Sequence, residues 1–148
     1  MIHIIKATEE HLQKILEIGQ GSISPAWTYK MLKDELDKGD STFYAAADNT
    51  VKGFIVIRKV DEDAEILQIA VDDTARRRGI GDMLMKAVLE YVQESNLKSI
   101  FLEVRSSNIA AVRLYKKHGF INNRVRKDYY NDPIEDATIM IRKTHEFI

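Results

Sequence analysis

The sequence predicts an α/β (α+β) fold, a mixed central β-sheet flanked by helices in the order β-α-α-β-β-β-α-β-α-β-β. Three observations carry that reading. Apolar, β-branched runs of strand length occur near the start, in the middle and toward the end of the chain. A long amphipathic stretch stands between two of these runs, the arrangement of a right-handed strand-helix-strand crossover with parallel strands. The chain has 148 residues, 45% of them hydrophobic, enough to cover a single core, so residues 1–148 are read as one domain without a linker.

The elements follow in order. Ile2, Ile4 and Ile5 open the chain as a short strand, and Thr8 is placed to cap a helix with Leu12, Ile15 and Leu16 at helical spacing. Gly19 and Gly21 are expected to break that helix, with a loop from Ser22 to Trp27 around Pro25. Thr28 caps a second helix that shows Met31, Leu32 and Leu36 on one face and ends at Gly39. Thr42 to Ala47, Val51 to Val60 and Ala64 to Val71 read as an antiparallel meander, turned at Asp48-Asn49-Thr50 and Asp61-Glu62-Asp63. A polar, arginine-rich segment leads into a long helix with Ile80, Leu84, Ala87, Val88 and Tyr91 on one stripe, ended at Asn96. Ser99 to Val104 is a strand and Asn108 to Lys117 a helix closed by Gly119. Final strands are expected near Phe120 to Arg126 and Ala137 to Arg142.

Composition narrows the function. With 22 basic and 23 acidic residues the net charge is −1, so no overall field gathers nucleic acid or an anionic membrane. The absence of cysteine removes a disulfide framework, a thiolate metal site and a cysteine nucleophile. His3, His11, His118 and His145 lack spacing suited to a metal and are read as surface residues, so no metal is expected. Met1 to Ala7 is too short an apolar stretch for a signal core or a membrane span, and the chain is read as cytoplasmic.

The most informative stretch is Arg76-Arg77-Arg78-Gly79-Ile80-Gly81, between a strand and the start of the long helix. Glycines let a ligand approach the peptide N–H groups, and a helix start adds unpaired donors and partial positive charge, together a site for a diphosphate. By itself a GxG after a strand is also an ordinary loop entering a helix, and three arginines are also a solvated face. The six residues do not form GxxxxGKS/T, and they lack one glycine of the dinucleotide fingerprint GxGxxG.

Proton transfer in catalysis needs a positioned acceptor and a positioned donor, and the C-terminal half of the chain offers candidates for both. Glu103 is the one ionisable residue inside the apolar run Ile100 to Val104, on the face of Phe101 and Arg105. Burial would raise its pKa toward that of a useful base; on a partly solvated face it would merely pair in the neighbourhood of Arg105. Asn108 and Tyr115, seven residues apart, fall on nearly one helical stripe and so are able to face one ligand. Tyr115 is suited to donate a proton, and also to pack in the core with its hydroxyl at the edge.

The strand Ile66 to Val71, the polar turn, Arg76-x-x-Gly79-x-Gly81 and the amphipathic helix together resemble the acetyl-CoA-binding core of the GCN5-related N-acetyltransferases (GNAT), whose pattern is Gln/Arg-x-x-Gly-x-Gly/Ala. The resemblance implies a bulged strand whose free backbone groups at Ile69, Ala70 and Val71 hold the pantetheine arm. It implies too that Arg77, Arg78, Gly79, Ile80 and Gly81 hold the pyrophosphate of acetyl-CoA. Ile100 to Arg105, Ser107-Asn108, Ala110-Ala111, Leu114-Tyr115-x-x-x-Gly119-Phe120, Arg126-x-x-Tyr129-Tyr130 and Glu135-Asp136-Ala137-x-x-Met140 are similar to the C-terminal half of the RimI group, which acetylates the N-terminal alanine of a small-subunit ribosomal protein. Carried over, that likeness makes Glu103 the proton acceptor, Asn108 a cofactor contact and Tyr115 the proton donor. The N-terminal third departs from the group, with Gly19 and Gln20 where an acidic residue is usual and an alanine inserted in Ser24-Pro25-Ala26-Trp27-Thr28.

Trp27 is read as an anchor for a partner or a cover for the core. Arg124, Arg126 and Lys127 beside Tyr129 and Tyr130 are read as the lining of an acceptor channel rather than a nucleic-acid surface. Three functions fit: acetylation of a protein N-terminus, acetylation of a small amine or polyamine, and non-catalytic binding of acyl-CoA. Glu103 with Tyr115 favours an enzyme. An α-amine near pKa ~8 offers more free base at neutral pH than a lysine near ~10.4, which favours the N-terminus.

Overall fold

The computed structural model describes residues 1–22 and 25–144. The strands are β1 (His3–Lys6), β2 (Ser41–Ala47), β3 (Val51–Val60), β4 (Asp63–Val71), β5 (Ser99–Arg105), β6 (Ile121–Tyr130) and β7 (Glu135–Lys143). The helices are α1 (Leu12–Ser22), α2 (Tyr29–Asp37), α3 (Ile80–Glu94) and α4 (Ile109–Lys117), which gives the expected element order. One sheet runs β1-β2-β3-β4-β5-β7-β6. Only the central β4–β5 pair is parallel, as a crossover through α3 requires.

Helices cover both faces. Leu12, Ile15 and Ile18 of α1 and Leu32 of α2 pack with Phe43, Phe54 and Val56 on one side. Ile80, Leu84, Met85, Val88 and Val92 of α3 pack with Ile55, Ile57, Ile100 and Leu102 on the other, where Tyr115 and Phe120 join them. Glu35, buried near the end of α2, accepts from the Ser41 hydroxyl and from Lys38 Nζ at 3.3 Å, tying that helix to the start of β2.

A β-bulge in β4 decides which residues meet which face. Gln68 is opposite Val56 and Ile66 opposite Ile57, so Leu67 is the extra residue. Ala64 and Ile66 pack toward α3, and after the extra residue it is Ile69 and Val71 that do so, while Leu67 and Ala70 turn toward α1. Strict alternation would have put Ile69 on the wrong side.

Several expectations are corrected. Gly19 and Gly21 do not break α1, which runs to Ser22 with Gly19 buried. Each glycine costs a helix about 1 kcal/mol, less than the roughly 1.5–3 kcal/mol from burying each of Leu12, Ile15 and Ile18. Thr8 precedes a 3-10 turn at Glu9–His11, and its N–H donates to His11 Nδ1 at 2.9 Å. Met31 is exposed, and the buried stripe of α3 includes Met85 and Val92, while Ala87 and Tyr91 stay half-buried. β6 and β7 are longer than expected and bring Tyr129 and Tyr130 into strand β6.

Candidate active site

The segment before α3 forms a cradle of backbone N–H groups. A 3-10 turn, Asp73–Ala75, is held by Asp72, whose carboxylate accepts from Thr74 N–H at 3.0 Å and Thr74 Oγ1 at 2.9 Å. Those bonds, and then Lys14, keep the Asp72 carboxyl below its usual range. Arg77 at φ 64 and Gly79 at φ 75 then take left-handed conformations, the alternation that turns successive N–H groups toward one concavity. Gly79 is the cap of α3 and has no side chain to satisfy its first donors. The α3 ladder starts with Met83 N–H to Gly79 O, so the N–H groups of Ile80, Gly81 and Asp82 precede it. A Cβ at Gly79 would meet nothing within 4 Å, so the space over the cradle is open. Arg77 and Arg78 are exposed and pair with no carboxylate among the described residues; Arg76 is held by Asp73 at 2.8 Å. These features fit a diphosphate. Gly81 has a different reason: its Cβ would lie 3.3 Å from Leu114 Cδ2, so it lets α3 and α4 approach.

The cradle continues into a gap in the sheet. β4 and β5 pair only from Asp63 opposite Ser99 to Ile66 opposite Leu102. Beyond the bulge at Leu67, residues Ile69, Ala70 and Val71 pair with β3 but have no strand on their other side. Their outward-facing backbone groups therefore line a slot that leads to the start of α3. Hollows of 190 Å³ beside Lys14 and Asp72 and of 470 Å³ beside Tyr44 and Tyr91 also open on the described surface.

On β5, Leu102 and Val104 face the core under α3, which turns Glu103 to the opposite face. Among the described residues the core under α1 and α2 draws on β1, β2, β3 and β4 and includes nothing from β5 or β7, so Glu103 lies outside it. Its side chain is 21% exposed and sits 3.6 Å from Arg126 Nη1. Tyr129, bonded to Glu103, has its hydroxyl pKa raised by that contact, then by burial. Burial chiefly, and next Glu103, pushes Tyr130 up to about 12. Arg105 stacks over the Tyr130 ring at 4.4 Å and reaches Glu135 at 3.3 Å, and Glu135 accepts from Ser107 N–H at 2.7 Å. Of the two environments weighed for Glu103, the partly solvated one is observed. A cation beside it is Arg126.

Tyr115 is the buried side chain of α4, 5% exposed, with its ring 5.9 Å from that of Phe120. Burial, and then Tyr130, raises its hydroxyl pKa far above the ordinary value, so it carries its proton throughout the neutral range. Asn108 is not on the helical stripe: it is the cap of α4, at ψ 78, and its Oδ1 accepts from Ala111 N–H at 3.2 Å. Sequence reasoning missed Asp82. Its Oδ2 accepts from Lys117 Nζ at 2.9 Å and its Oδ1 lies 2.8 Å from His118 Nε2, contacts that hold the Asp82 carboxyl below its usual range. His118 is accordingly packed rather than superficial, and only the placement of basic residues at a helix end hinted at it.

Trp27 is half-buried against the α1–α2 side of the core. Ser24, part of that loop, and His145 lie outside the described residues. Among the described residues no three His, Asp or Glu side chains converge as a metal site. No helix among them is long and apolar enough to cross a membrane.

Comparison with known proteins agrees with this fold. The acetyltransferase (GNAT) family model matches residues 7–120. The ribosomal protein bS18-alanine N-acetyltransferase of Salmonella typhimurium is 30% identical, with 94% of each chain covered. The crystal structure of the ribosomal-protein-S18-alanine N-acetyltransferase from Escherichia coli superposes with a TM-score of 0.90 at 27% identity, covering 97% of this chain and 94% of the other. Ard1 from Thermoplasma volcanium gives a TM-score of 0.88 at 34% identity, with 96% and 97% covered.

Proposed function

The chain belongs to the GNAT acetyltransferase family and is an acetyl-CoA-dependent N-acetyltransferase; from that premise we propose that it acts on the N-terminal α-amine of a protein, an alanine of a small-subunit ribosomal protein. The observation that carries the reading is Glu103, a carboxylate set beside Tyr129 and Tyr130 on a face left open by α1 and α2, in a chain 30% identical to an enzyme named for that acceptor. An open face admits a polypeptide end, and an α-amine near pKa ~8 needs only one carboxylate to take its proton. The whole of residues 1–148 is read as one catalytic domain working in the cytoplasm, where ribosomal proteins are made.

Acetyl-CoA supplies the activated acetyl group as its thioester. In this reading the N–H groups of residues 77–81 and the charges of Arg76, Arg77 and Arg78 receive the diphosphate, and the backbone of Ile69, Ala70 and Val71 receives the pantetheine arm. Glu103 accepts the amine proton and Tyr115 gives one to the departing thiolate. Asn108, its oxygen committed to Ala111, acts on the cofactor through its amide nitrogen. Trp27, Tyr129 and Tyr130 border the acceptor.

Mass spectrometry of N-terminal peptides from cells with and without this protein tests the assignment. The expected result is a ribosomal protein whose N-terminal alanine loses acetylation when the protein is removed. Unchanged N-termini, with acetylated polyamines disappearing instead, would replace the proposed acceptor with a small amine.

A further inference from the structure

Helix α4 carries Tyr115 but is only nine residues long and buries only that one side chain. At its start it is held by the Asn108 cap and by the bond from Ser107 N–H to Glu135. At its end the polar ties are Lys117 and His118, two and three residues after Tyr115, and both converge on Asp82 in the first turn of α3. Between them Leu114 rests against Gly81. We propose that Asp82 is a positioning residue: by holding Lys117 and His118 it fixes the end of α4, and with it the Tyr115 hydroxyl, relative to the cradle at the start of α3.

Electrostatics favour the clasp at this place. Asp82 stands where the N-terminal field of α3 favours an anion, and Lys117 and His118 stand where the C-terminal field of α4 favours cations. Lys117 is 65% exposed, so its share is small. The His118 side chain is 13% exposed, and the contact with Asp82 is correspondingly less screened. Tyr115 also packs with Phe120 in the core cluster, so the clasp is not its sole anchor. What the clasp adds is precision, and misplacing a reacting group by about 1 Å costs on the order of 10²-fold in rate.

The inference rests on the reading of Tyr115 as proton donor, and a double-mutant cycle separates the two. Steady-state kinetics of Asp82→Ala, Tyr115→Phe and the double variant are measured with an alanine-starting peptide. Asp82→Ala is expected to lower kcat about tenfold and to leave KM for acetyl-CoA within roughly twofold. In the Tyr115→Phe background the same change should cost less than about twofold, since no hydroxyl remains to be placed. Asp82→Asn, which keeps an acceptor for His118 and loses the charge, should recover part of the rate; it also serves if the alanine variant folds poorly. Fully additive losses, or a loss confined to KM for acetyl-CoA, overturn the positioning role. Wild-type turnover in Tyr115→Phe removes the proton donor and the clasp's purpose together. Slow Tyr115→Phe beside a fast Asp82→Ala removes the clasp alone.

Discussion

The guanidinium of Arg126 on β6 stands 3.6 Å from Oε1 of Glu103 on β5, so the carboxylate read as proton acceptor meets a cation before any acceptor arrives. A protonated amine approaching Glu103 must displace that cation or share its field. Arg126 is 45% exposed, which puts the pair in the range of about 0–1 kcal/mol. Arg126→Gln should therefore lower KM for the acceptor peptide by up to about fivefold and weaken its dependence on salt. A raised KM would make Arg126 a contact for the acceptor instead of its competitor.

Glu103→Gln keeps the shape of the side chain and removes its capacity to take a proton. Turnover should fall by about 10²- to 10⁴-fold, most at low pH where free amine is scarce, with acetyl-CoA affinity nearly intact by calorimetry. A loss under about threefold at every pH would reduce Glu103 to a structural partner of Arg126 and Tyr129.

The two glycines of the cradle should fail in different ways. Gly79 is left-handed at φ 75 under open space, so Gly79→Val both strains the backbone and fills the region assigned to the diphosphate. Acetyl-CoA binding should be lost by calorimetry. A Cβ at Gly81 lies 3.3 Å from Leu114, so Gly81→Val should push α4 away and lower Tm as well as turnover. Equal acetyl-CoA affinity in wild type and Gly79→Val would remove the site.

Element order was legible because helices and strands here follow their periods, as with the cap Thr28 and the left-handed Asn96 after α3, although Asn108 was read as part of α4 and is its cap. The cradle was legible for a similar reason, since backbone geometry at residues 76–81 is set locally by glycine and by a helix start. Contacts between elements distant in sequence were not. Nothing near Glu103 names Arg126, and nothing near Asp82 names His118; those pairs exist only once β6 lies beside β7 and α4 beside α3. Gly19 misled because its helix penalty was judged locally, whereas the packing that outweighs it is tertiary.

Stability should fall at alkaline pH, and the sign follows from the tyrosines. Tyr115, Tyr130 and Tyr44 are all raised above 10.0, chiefly by burial. Below pH 10 each is protonated in both folded and unfolded chains, and its contribution is intact. Above it the unfolded chain releases protons that the folded chain keeps, so stability is lost as pH rises toward about 12, where Tyr130 ionises, and beyond, for Tyr115. One such buried group contributes a slope of up to about 1.4 kcal/mol per pH unit. Urea midpoints measured from pH 8 to 12 should decline, and less steeply in Tyr115→Phe. Parallel curves for the variant and wild type would mean that Tyr115 ionises freely when folded.

Proton donation and acceptor choice should separate by mutation. Tyr115, on α4, is buried in the core shared with α3 and is assigned to the leaving thiolate, which is common to every acceptor. Tyr115→Phe keeps the ring against Phe120 and removes only the hydroxyl, so its loss of turnover should be the same with an alanine-starting peptide and with a free polyamine. Tyr129, 45% exposed at the open face, and Trp27, on the loop before α2, touch no part of that step. Their replacement by alanine should raise KM for the peptide more than for the polyamine, because only the peptide extends far enough to meet both, while loss of Tyr129 also removes a partner of Glu103 and slows both acceptors. Measuring both acceptors on all three variants gives the answer: selectivity in Tyr115→Phe would move that hydroxyl from the thiolate to the acceptor, and KM raised equally for both acceptors at Trp27 and Tyr129 would remove them from the peptide's path.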